Sequence, residues 1–125
     1  MLNRAFYNNK LGGFEEYMCE YFGYEKVLLM NTGAEAWETG AKLARKWGYD
    51  VKGIPQNQAK VIHANGNFHG RTISAISCSD DPESYGGFGP FTPGFDRIPY
   101  NDLAALKEVV KDPNVVRTQS CNNPP

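Results

Sequence analysis

The stretch LLMNTGAEAWETG, residues 28–40, leads from an apolar run through a polar, glycine-containing corner into a helical pattern. Residues 27–30 predict a short strand buried on both faces, as strands of a parallel sheet usually are. Beyond the corner, small and apolar residues recur every three to four positions and predict an amphipathic helix; they are Ala36, Gly40, Leu43, Ala44 and Trp47. Gly48 follows the basic last turn and is expected to end this helix.

The same alternation of strand and helix recurs along the chain. A helix over residues 11–22, ended by Gly23, precedes the first strand. A second strand, residues 60–64, runs into GNFHGRT and a short helix that ends at Ser77. This order predicts an α/β domain around a mostly parallel sheet with helices on both faces.

The last third of the chain starts two more units of this kind. A third strand over residues 95–100 is followed by a helix over 103–110, for which Asp102 is the expected N-cap. A fourth strand begins at Val115, but we expect it to stop almost at once. The reason is that residues 117–125, RTQSCNNPP, contain no large apolar side chain.

Composition excludes several classes of protein. The 125 residues are 41% hydrophobic and 22% charged, which is typical of one globular domain. The net charge of -1 offers no basic surface to nucleic acid or to an anionic membrane, so we expect neither partner. No apolar run approaches the ~20 residues of a membrane span, and no secretory signal is visible, so we expect a cytoplasmic protein.

The cysteines and histidines give no metal or disulfide signal. Cys19, Cys78 and Cys121 are far apart and form no C-x-x-C pair. His63 and His69 are six residues apart, which is not the spacing of a helical metal pair. The sequence therefore predicts reduced thiols and no metal site.

The corner after the first strand has the residue types of an anion site. In a parallel sheet it lies at the carboxyl end of a strand and at a helix N-terminus, where unpaired N–H groups point outward. Gly33 allows close approach to the backbone, Thr32 adds a hydroxyl and Ala34 is small. The alternative is structural: Gly33 forms a tight turn and Thr32 caps the helix. The sequence contains neither the G-x-G-x-x-G motif of dinucleotide-binding proteins nor the G-x-x-x-x-G-K-[ST] motif of nucleoside-triphosphate-binding proteins.

The corner after the second strand combines an aromatic ring with a cation. Phe68 could stack on a flat cofactor ring, and Arg71 could pair with a carboxylate through two hydrogen bonds. The alternative places Phe68 in the core and Arg71 in a surface ion pair. The long loop over residues 80–94 lacks periodicity but holds three aromatic residues, which favours a functional or interfacial segment over disorder.

Four segments together resemble the ornithine aminotransferase branch of the class III, fold-type-I aminotransferases, which depend on pyridoxal phosphate. They are AFYNNKLGGFEEY, VLLMNTGAEAWETGAKLARKWGY, GNFHGRTISAIS and GFGPFTPGFDRIPYNDL. The T-G-x-E-A element is common to class III, whereas PYNDL and GFGPF are typical of the ornithine branch. The resemblance predicts an incomplete large domain over residues 1–116 and a disordered tail, outside the family pattern, over 117–125.

The resemblance implies roles for individual residues. Gly33 and Ala34 match the positions that hold the phosphate of the cofactor, with Thr32 beside them. Phe68 matches the aromatic residue that stacks on the pyridine ring, and Arg71 matches the arginine that receives the substrate α-carboxylate. His69 stands where many relatives have tryptophan, so the resemblance implies no role for it.

The implied reaction moves the δ-amino group of L-ornithine to 2-oxoglutarate and gives glutamate 5-semialdehyde and glutamate. It needs a lysine that binds the cofactor covalently and an acid at the pyridine nitrogen, and no residue of this chain matches either. We therefore expect no catalytic residue here and no activity of the chain alone. The family also implies a homodimer and allows the mitochondrial matrix as an alternative compartment.

Two expectations follow from the incomplete match. The family sheet would need strands outside this chain beside the first and fourth strands, so we expect the present strands not to form that sheet. The first functional hypothesis is a truncated or partial ornithine aminotransferase. The alternative is a non-catalytic protein, either a short isoform that binds the full-length subunit or a small anion-binding module.

Overall fold

The computed structural model describes residues 9–119. Eight elements follow one another in this part of the chain, with helices α1 to α5 and strands β1 to β3. They are α1 (Leu11–Phe22), α2 (Gly33–Asp50), β1 (Lys60–Ala64), α3 (Ile73–Ser77), α4 (Pro82–Tyr85), β2 (Phe95–Ile98), α5 (Leu103–Val109) and β3 (Val115–Gln119).

The three strands form one parallel sheet in the order β2-β1-β3. Val61 pairs with Phe95 on one side of β1, and Lys60 pairs with Val115 on the other. The prediction of a parallel α/β sheet is confirmed. The expectation that the present strands would not form the family sheet is wrong for β1, β2 and β3, because the central strand and both of its neighbours lie within this chain.

The prediction of a first strand over residues 27–30 is wrong. Residues 27–30 contribute no strand to the sheet of the described chain, and Leu28 is 59% exposed. A strand is stabilised by its ladder of hydrogen bonds to a neighbour, so an apolar run without a strand beside it does not form one. Residues 27–30 have the apolar pattern of a buried strand, but no strand of the described chain lies beside them to pair with.

Gly48 and β3 also differ from expectation. Gly48 does not end α2, which continues to Asp50; it is buried where the helix packs on β3, and a Cβ atom there would overlap Val116. β3 does not stop after Val116 but continues to Gln119, because backbone groups can pair with β1 whatever the side chains; the register is irregular only at Val116. The boundary at residue 116 stays a prediction, and residues 120–125 of the predicted tail lie outside the described part.

The smaller predictions are largely confirmed. Gly23 ends α1 in a left-handed conformation with φ of 72°, and Asp102 caps α5 by accepting a hydrogen bond from the Ala105 N–H. The 80–94 loop contains the short helix α4 and is fixed to the body by the Thr92 N–H, which donates to Ser77 Oγ at 2.8 Å.

The core is small and lies between the sheet and helices α2 and α3. Its fully buried residues include Val61, Ile62, Ala75 and Cys78, and Trp37 packs on Ala75 and Cys78. Among the described residues, sixteen large aliphatic or aromatic side chains are exposed, including Trp47. Within residues 9–119, no helix combines the length and apolar character needed to cross a bilayer.

Candidate functional site

The N-terminus of α2 is stabilised by its capping residue, Thr32. Thr32 has an extended backbone, and its Oγ1 accepts a hydrogen bond from the Glu35 N–H at 3.1 Å. The Glu35 carboxylate in turn accepts from the Asn31 N–H at 2.7 Å. These reciprocal bonds fix the corner, as capping residues generally do. The structural role proposed for Thr32 is therefore confirmed, and its hydroxyl hydrogen is still available to donate.

Two backbone donors remain at this helix end. The N–H groups of Gly33 and Ala34 have no acceptor within the described segment, whereas the next two N–H groups bond to Thr32. An 18-residue helix adds the positive end of its dipole at the same place. A Cβ atom on Gly33 would meet no atom within 4 Å, so the space in front of these donors is open. The site has the donors and room that an anion needs.

The second corner lies against the first turn of α2. Gly70 has φ of 119°, and a Cβ atom on it would lie 2.8 Å from the Cβ of Ala34. The Thr72 hydroxyl donates to Glu38 Oε1 at 2.6 Å and accepts from the Ala75 N–H, so it joins α2 to α3. Two corners that are 30 or more residues apart in sequence thus meet at one edge of the sheet.

These corners enclose a pocket of about 580 Å³. Its lining is formed by Gly33, Ala34, Ala36, Trp37, Phe68, His69 and Gly70. Phe68 is 60% exposed, so it is not the core residue of the structural alternative, and one face of its ring is available for stacking. Trp37 is buried, and its indole N–H has no acceptor in the described structure.

Thr32 and Arg71 are placed beside the pocket and not in its lining. Arg71 is exposed on the loop that leads into α3. Asp81 lies near enough to sense its charge. The pKa of Asp81 is lowered mainly by the hydrogen bond from the Ser84 hydroxyl, then by the Glu83 N–H, with a smaller contribution from Arg71. Arg71 is therefore a cation at the pocket rim with a carboxylate in its neighbourhood.

No lysine is part of the pocket lining in the described structure. All eight lysines fall within residues 9–119, and none of them is part of the lining. Lys60 pairs with Asp112 at 2.9 Å, and Lys46 pairs with Asp50 at 2.7 Å. The described lining therefore offers backbone donors and an exposed aromatic ring, but no lysine that could attach a carbonyl compound.

Sequence reasoning missed part of the lining. Trp37 and Ala36 lie one turn beyond Gly33 on α2, so helical periodicity from Gly33 would have placed them on the same face. Gly70 was given no role of its own, because its contact with Ala34 depends on how the two corners pack. His69 was given no role, but the structure places it in the pocket lining, largely buried, with its ring centroid 5.2 Å from that of Trp37 in a stacked arrangement.

A comparison with known protein families agrees with the parallel α/β fold described above. The sequence model of the family "Aminotransferase class-III" matches residues 1–121. The chain therefore belongs to the class III aminotransferase family, whose members act on small-molecule substrates, and its parallel sheet is part of the fold-type-I architecture.

Particular relatives are ornithine aminotransferases. The mitochondrial ornithine aminotransferase of Rattus norvegicus is 63% identical over 115 residues, which are 92% of this chain and 26% of the relative. A solved ornithine aminotransferase of Toxoplasma gondii, described with partial occupancy of PLP at its active site, superposes with a TM-score of 0.91 at 53% identity. That match covers 96% of this chain and 28% of the other.

A third match is an acetylornithine aminotransferase of Elizabethkingia anophelis. It is 52% identical, with a TM-score of 0.72 over 96% of this chain and 29% of that one. This chain therefore spans between a quarter and a third of the length of the relatives it matches.

Proposed function

We propose that this chain forms the phosphate-binding, ring-stacking and carboxylate-binding part of an ornithine aminotransferase site. The whole enzyme would transfer the δ-amino group of L-ornithine to 2-oxoglutarate. The observation that carries the proposal is the pair of N–H groups at Gly33 and Ala34, which lack described acceptors and share a pocket with the exposed ring of Phe68. The 63% identity to the rat enzyme supports ornithine as the substrate.

Pyridoxal phosphate fits the residues that are present. The N–H groups of Gly33 and Ala34 and the Thr32 hydroxyl would hold its phosphate, and Phe68 would stack on its ring. When bound, this cofactor supplies the electron sink for amino-group transfer. Arg71, at the rim, would orient the substrate by pairing with its α-carboxylate, which directs the distal amine toward the ring. Gly70 and Ala34 hold the two corners together and so set the distance between phosphate and ring sites.

The affinity of this part alone is expected to be low. Two or three charge-assisted hydrogen bonds contribute about 1.5–3 kcal/mol each, and association costs several kcal/mol. The balance gives millimolar binding at best. Because no lysine lines the pocket, borohydride reduction of the chain with pyridoxal phosphate is expected to label no single lysine stoichiometrically.

A chimera tests the proposed activity. The aligned 115 residues would replace the corresponding segment of the rat enzyme, which supplies everything outside it. We expect the chimera to bind pyridoxal phosphate and to form glutamate from ornithine and 2-oxoglutarate. Arg71→Lys should raise the KM for ornithine at least tenfold, and Phe68→Ala should weaken cofactor binding. Lys46→Gln, on the exposed face of α2, is the matched control and should change neither.

The outcomes separate the alternatives. A folded chimera that uses N-acetylornithine in preference to ornithine would favour the acetylornithine branch, to which the Elizabethkingia relative belongs by name. A folded chimera without cofactor binding would contradict the assignment of the pocket. Cooperative folding and phosphate binding by the monomeric 125-residue chain would favour an anion-binding module.

The compartment and the assembly are part of the same proposal. The rat relative is named mitochondrial, which supports the mitochondrial matrix in place of the cytoplasm. A homodimer is proposed with the 80–94 loop at the interface, since Phe88 is 56% and Phe91 46% exposed there. Replacing both with serine in the chimera should shift it from dimer to monomer in analytical ultracentrifugation.

A further inference from the structure

Three potential metal ligands meet behind the pocket. They are His63 in β1, His69 in the second corner, and Cys78 directly after α3. One ring nitrogen of each histidine and the Cys78 sulfur all lie within 4.8 Å of one another. His63 and Cys78 are fully buried, and His69 is 9% exposed. We propose that this cluster, the His63–His69–Cys78 cluster, binds one Zn²⁺ ion.

The spacing of the two imidazoles fits a tetrahedral ion. His63 Nδ1 and His69 Nε2 are 3.2 Å apart. Zinc–nitrogen bonds of about 2.0–2.1 Å at a tetrahedral angle place two ligand nitrogens about 3.3 Å apart. A zinc–sulfur bond of about 2.3 Å places the sulfur about 3.6 Å from each nitrogen. From 4.8 Å to both nitrogens, Cys78 Sγ would have to move by about 1.3 Å, which is within the range of a side-chain rotation.

The surroundings fix the rings. Trp37 stacks on His69 with an interplanar angle of 13°, and Phe95 packs edge-on against His63 at 5.5 Å. Aromatic walls of this kind exclude water and hold ligands in place, which raises metal affinity. His69 also lines the pocket, so an ion or a water molecule as fourth ligand can enter from that side.

Zinc would replace existing interactions of these side chains, among them a contact of 3.8 Å from the Cys78 thiol to Asn67 Oδ1. The Cys78 thiol donates to the Ala75 carbonyl at 3.0 Å, and the two histidines share one hydrogen bond. On coordination the thiol releases its proton to solvent, the sulfur binds as thiolate, and both imidazoles bind in the neutral form. A set of two nitrogens and one sulfur suits Zn²⁺ better than hard cations such as Mg²⁺. A hydrogen-bonded histidine pair without metal is the competing explanation.

The test uses the 125-residue chain with Cys78 as its only thiol, obtained by Cys19→Ser and Cys121→Ser. Titration with Co²⁺ under reducing conditions should give tetrahedral visible bands and a near-ultraviolet thiolate-to-cobalt band that saturate at one equivalent. Zn²⁺ should then displace the cobalt. Zn²⁺ should also raise the midpoint of urea unfolding, because only the folded chain holds the three ligands together.

Variants assign the ligands. In the same background, Cys78→Ala should abolish the near-ultraviolet band, and His69→Gln should weaken cobalt binding at least tenfold, with far-ultraviolet circular dichroism as the check on folding. The control keeps Cys19 as the only thiol through Cys78→Ala and Cys121→Ser, and should give no such band. A band that survives Cys78→Ala, or the absence of saturable binding at one equivalent, would overturn the proposal and leave the histidine pair as a hydrogen bond.

Discussion

Gly70 lies so close to α2 that a Cβ atom on it would be 2.8 Å from the Cβ of Ala34. Its φ of 119° is also a conformation that side chains other than glycine rarely adopt. This contact, together with the Thr72–Glu38 hydrogen bond, brings the corner that carries Phe68 against the N-terminus of α2. The pocket therefore depends on a position where both the backbone and the available space favour glycine.

Gly70→Ala is expected to destabilise the chain by about 1–3 kcal/mol, because it adds backbone strain and a close contact. Urea unfolding measures the effect. Gly33→Ala is the matched control, since it lies in the same pocket, has an ordinary φ and would meet no atom within 4 Å. Equal free energies of unfolding for the two variants would contradict this account of the Gly70–Ala34 contact.

Gly33→Ala is expected to act on binding and not on folding. Its new methyl group would project into open space at a residue that lines the pocket, and we expect it to hinder the approach of an anion to the Gly33 and Ala34 N–H groups. Inorganic phosphate or pyridoxal phosphate, followed through tryptophan fluorescence, should bind at millimolar concentration to the unmodified chain and at least tenfold more weakly to the variant. Pyridoxal without phosphate should not distinguish the two proteins. Unchanged phosphate affinity would place the anion elsewhere.

Thr32→Ala is expected to lower the free energy of unfolding by about 1 kcal/mol, because the Glu35 N–H loses its acceptor. Thr32→Ser keeps an acceptor at the same place and should recover most of the loss. Urea unfolding at neutral pH compares the three proteins. If alanine and serine were equally destabilising, the methyl group of Thr32 and not its hydroxyl would be responsible.

The corners were predictable because their signals are local. Thr32 is predicted as an N-cap because it directly precedes the helical pattern. Gly33 and Phe68 are candidates because they follow predicted strands. The lack of a strand at residues 27–30 was not predictable in the same way, since an apolar pattern says nothing about whether a neighbouring strand is present. His63, His69 and Cys78 were also missed as a cluster. Their contact depends on a turn at Gly66 and on Asn67, whose side chain bonds to both Ala64 and Cys78.

Gly48 illustrates the same limit within a helix. A glycine after a basic turn often ends a helix. Here α2 continues past Gly48, and because glycine has no side chain, the helix can lie close to β3 at this position. A Cβ atom would overlap Val116 and lie 3.2 Å from Ile54 Cδ1. The packing of α2 on the sheet, which sequence alone does not give, decides its role.

Gly48→Ala is therefore expected to destabilise the chain by about 1–3 kcal/mol, although alanine is the better helix former. Val116→Ala should relieve the overlap, so the double variant should be more stable than the sum of the two single changes predicts. Gly13→Ala, in α1 with open space around it, is the control and should be neutral or stabilising. A stabilising effect at Gly48, or strict additivity with Val116→Ala, would count against this packing.

Lys60 ties β1 to the turn before β3 through its ion pair with Asp112. The hydrogen bond and charge of Lys60, with the Asn114 N–H, lower the pKa of Asp112, and the Asp112 partner raises the pKa of Lys60. A lowered carboxyl pKa gives stabilisation that is fully present above its ordinary value of 3.8 and is lost as the pH falls through the folded value. The raised lysine pKa gives stabilisation that is lost only as the pH rises above 10.5, through the folded value.

Asp112→Asn removes the charge but keeps a side-chain oxygen for the Asn114 N–H. Its urea midpoint is expected to be lower than that of the unmodified chain at neutral pH, and to fall less between about pH 5 and about pH 3. Asp50→Asn, which breaks the more exposed pair with Lys46, is the matched control and should retain the original acid dependence. If Asp112→Asn lost stability in acid as steeply as the control, the Lys60–Asp112 pair would not be a source of the acid sensitivity.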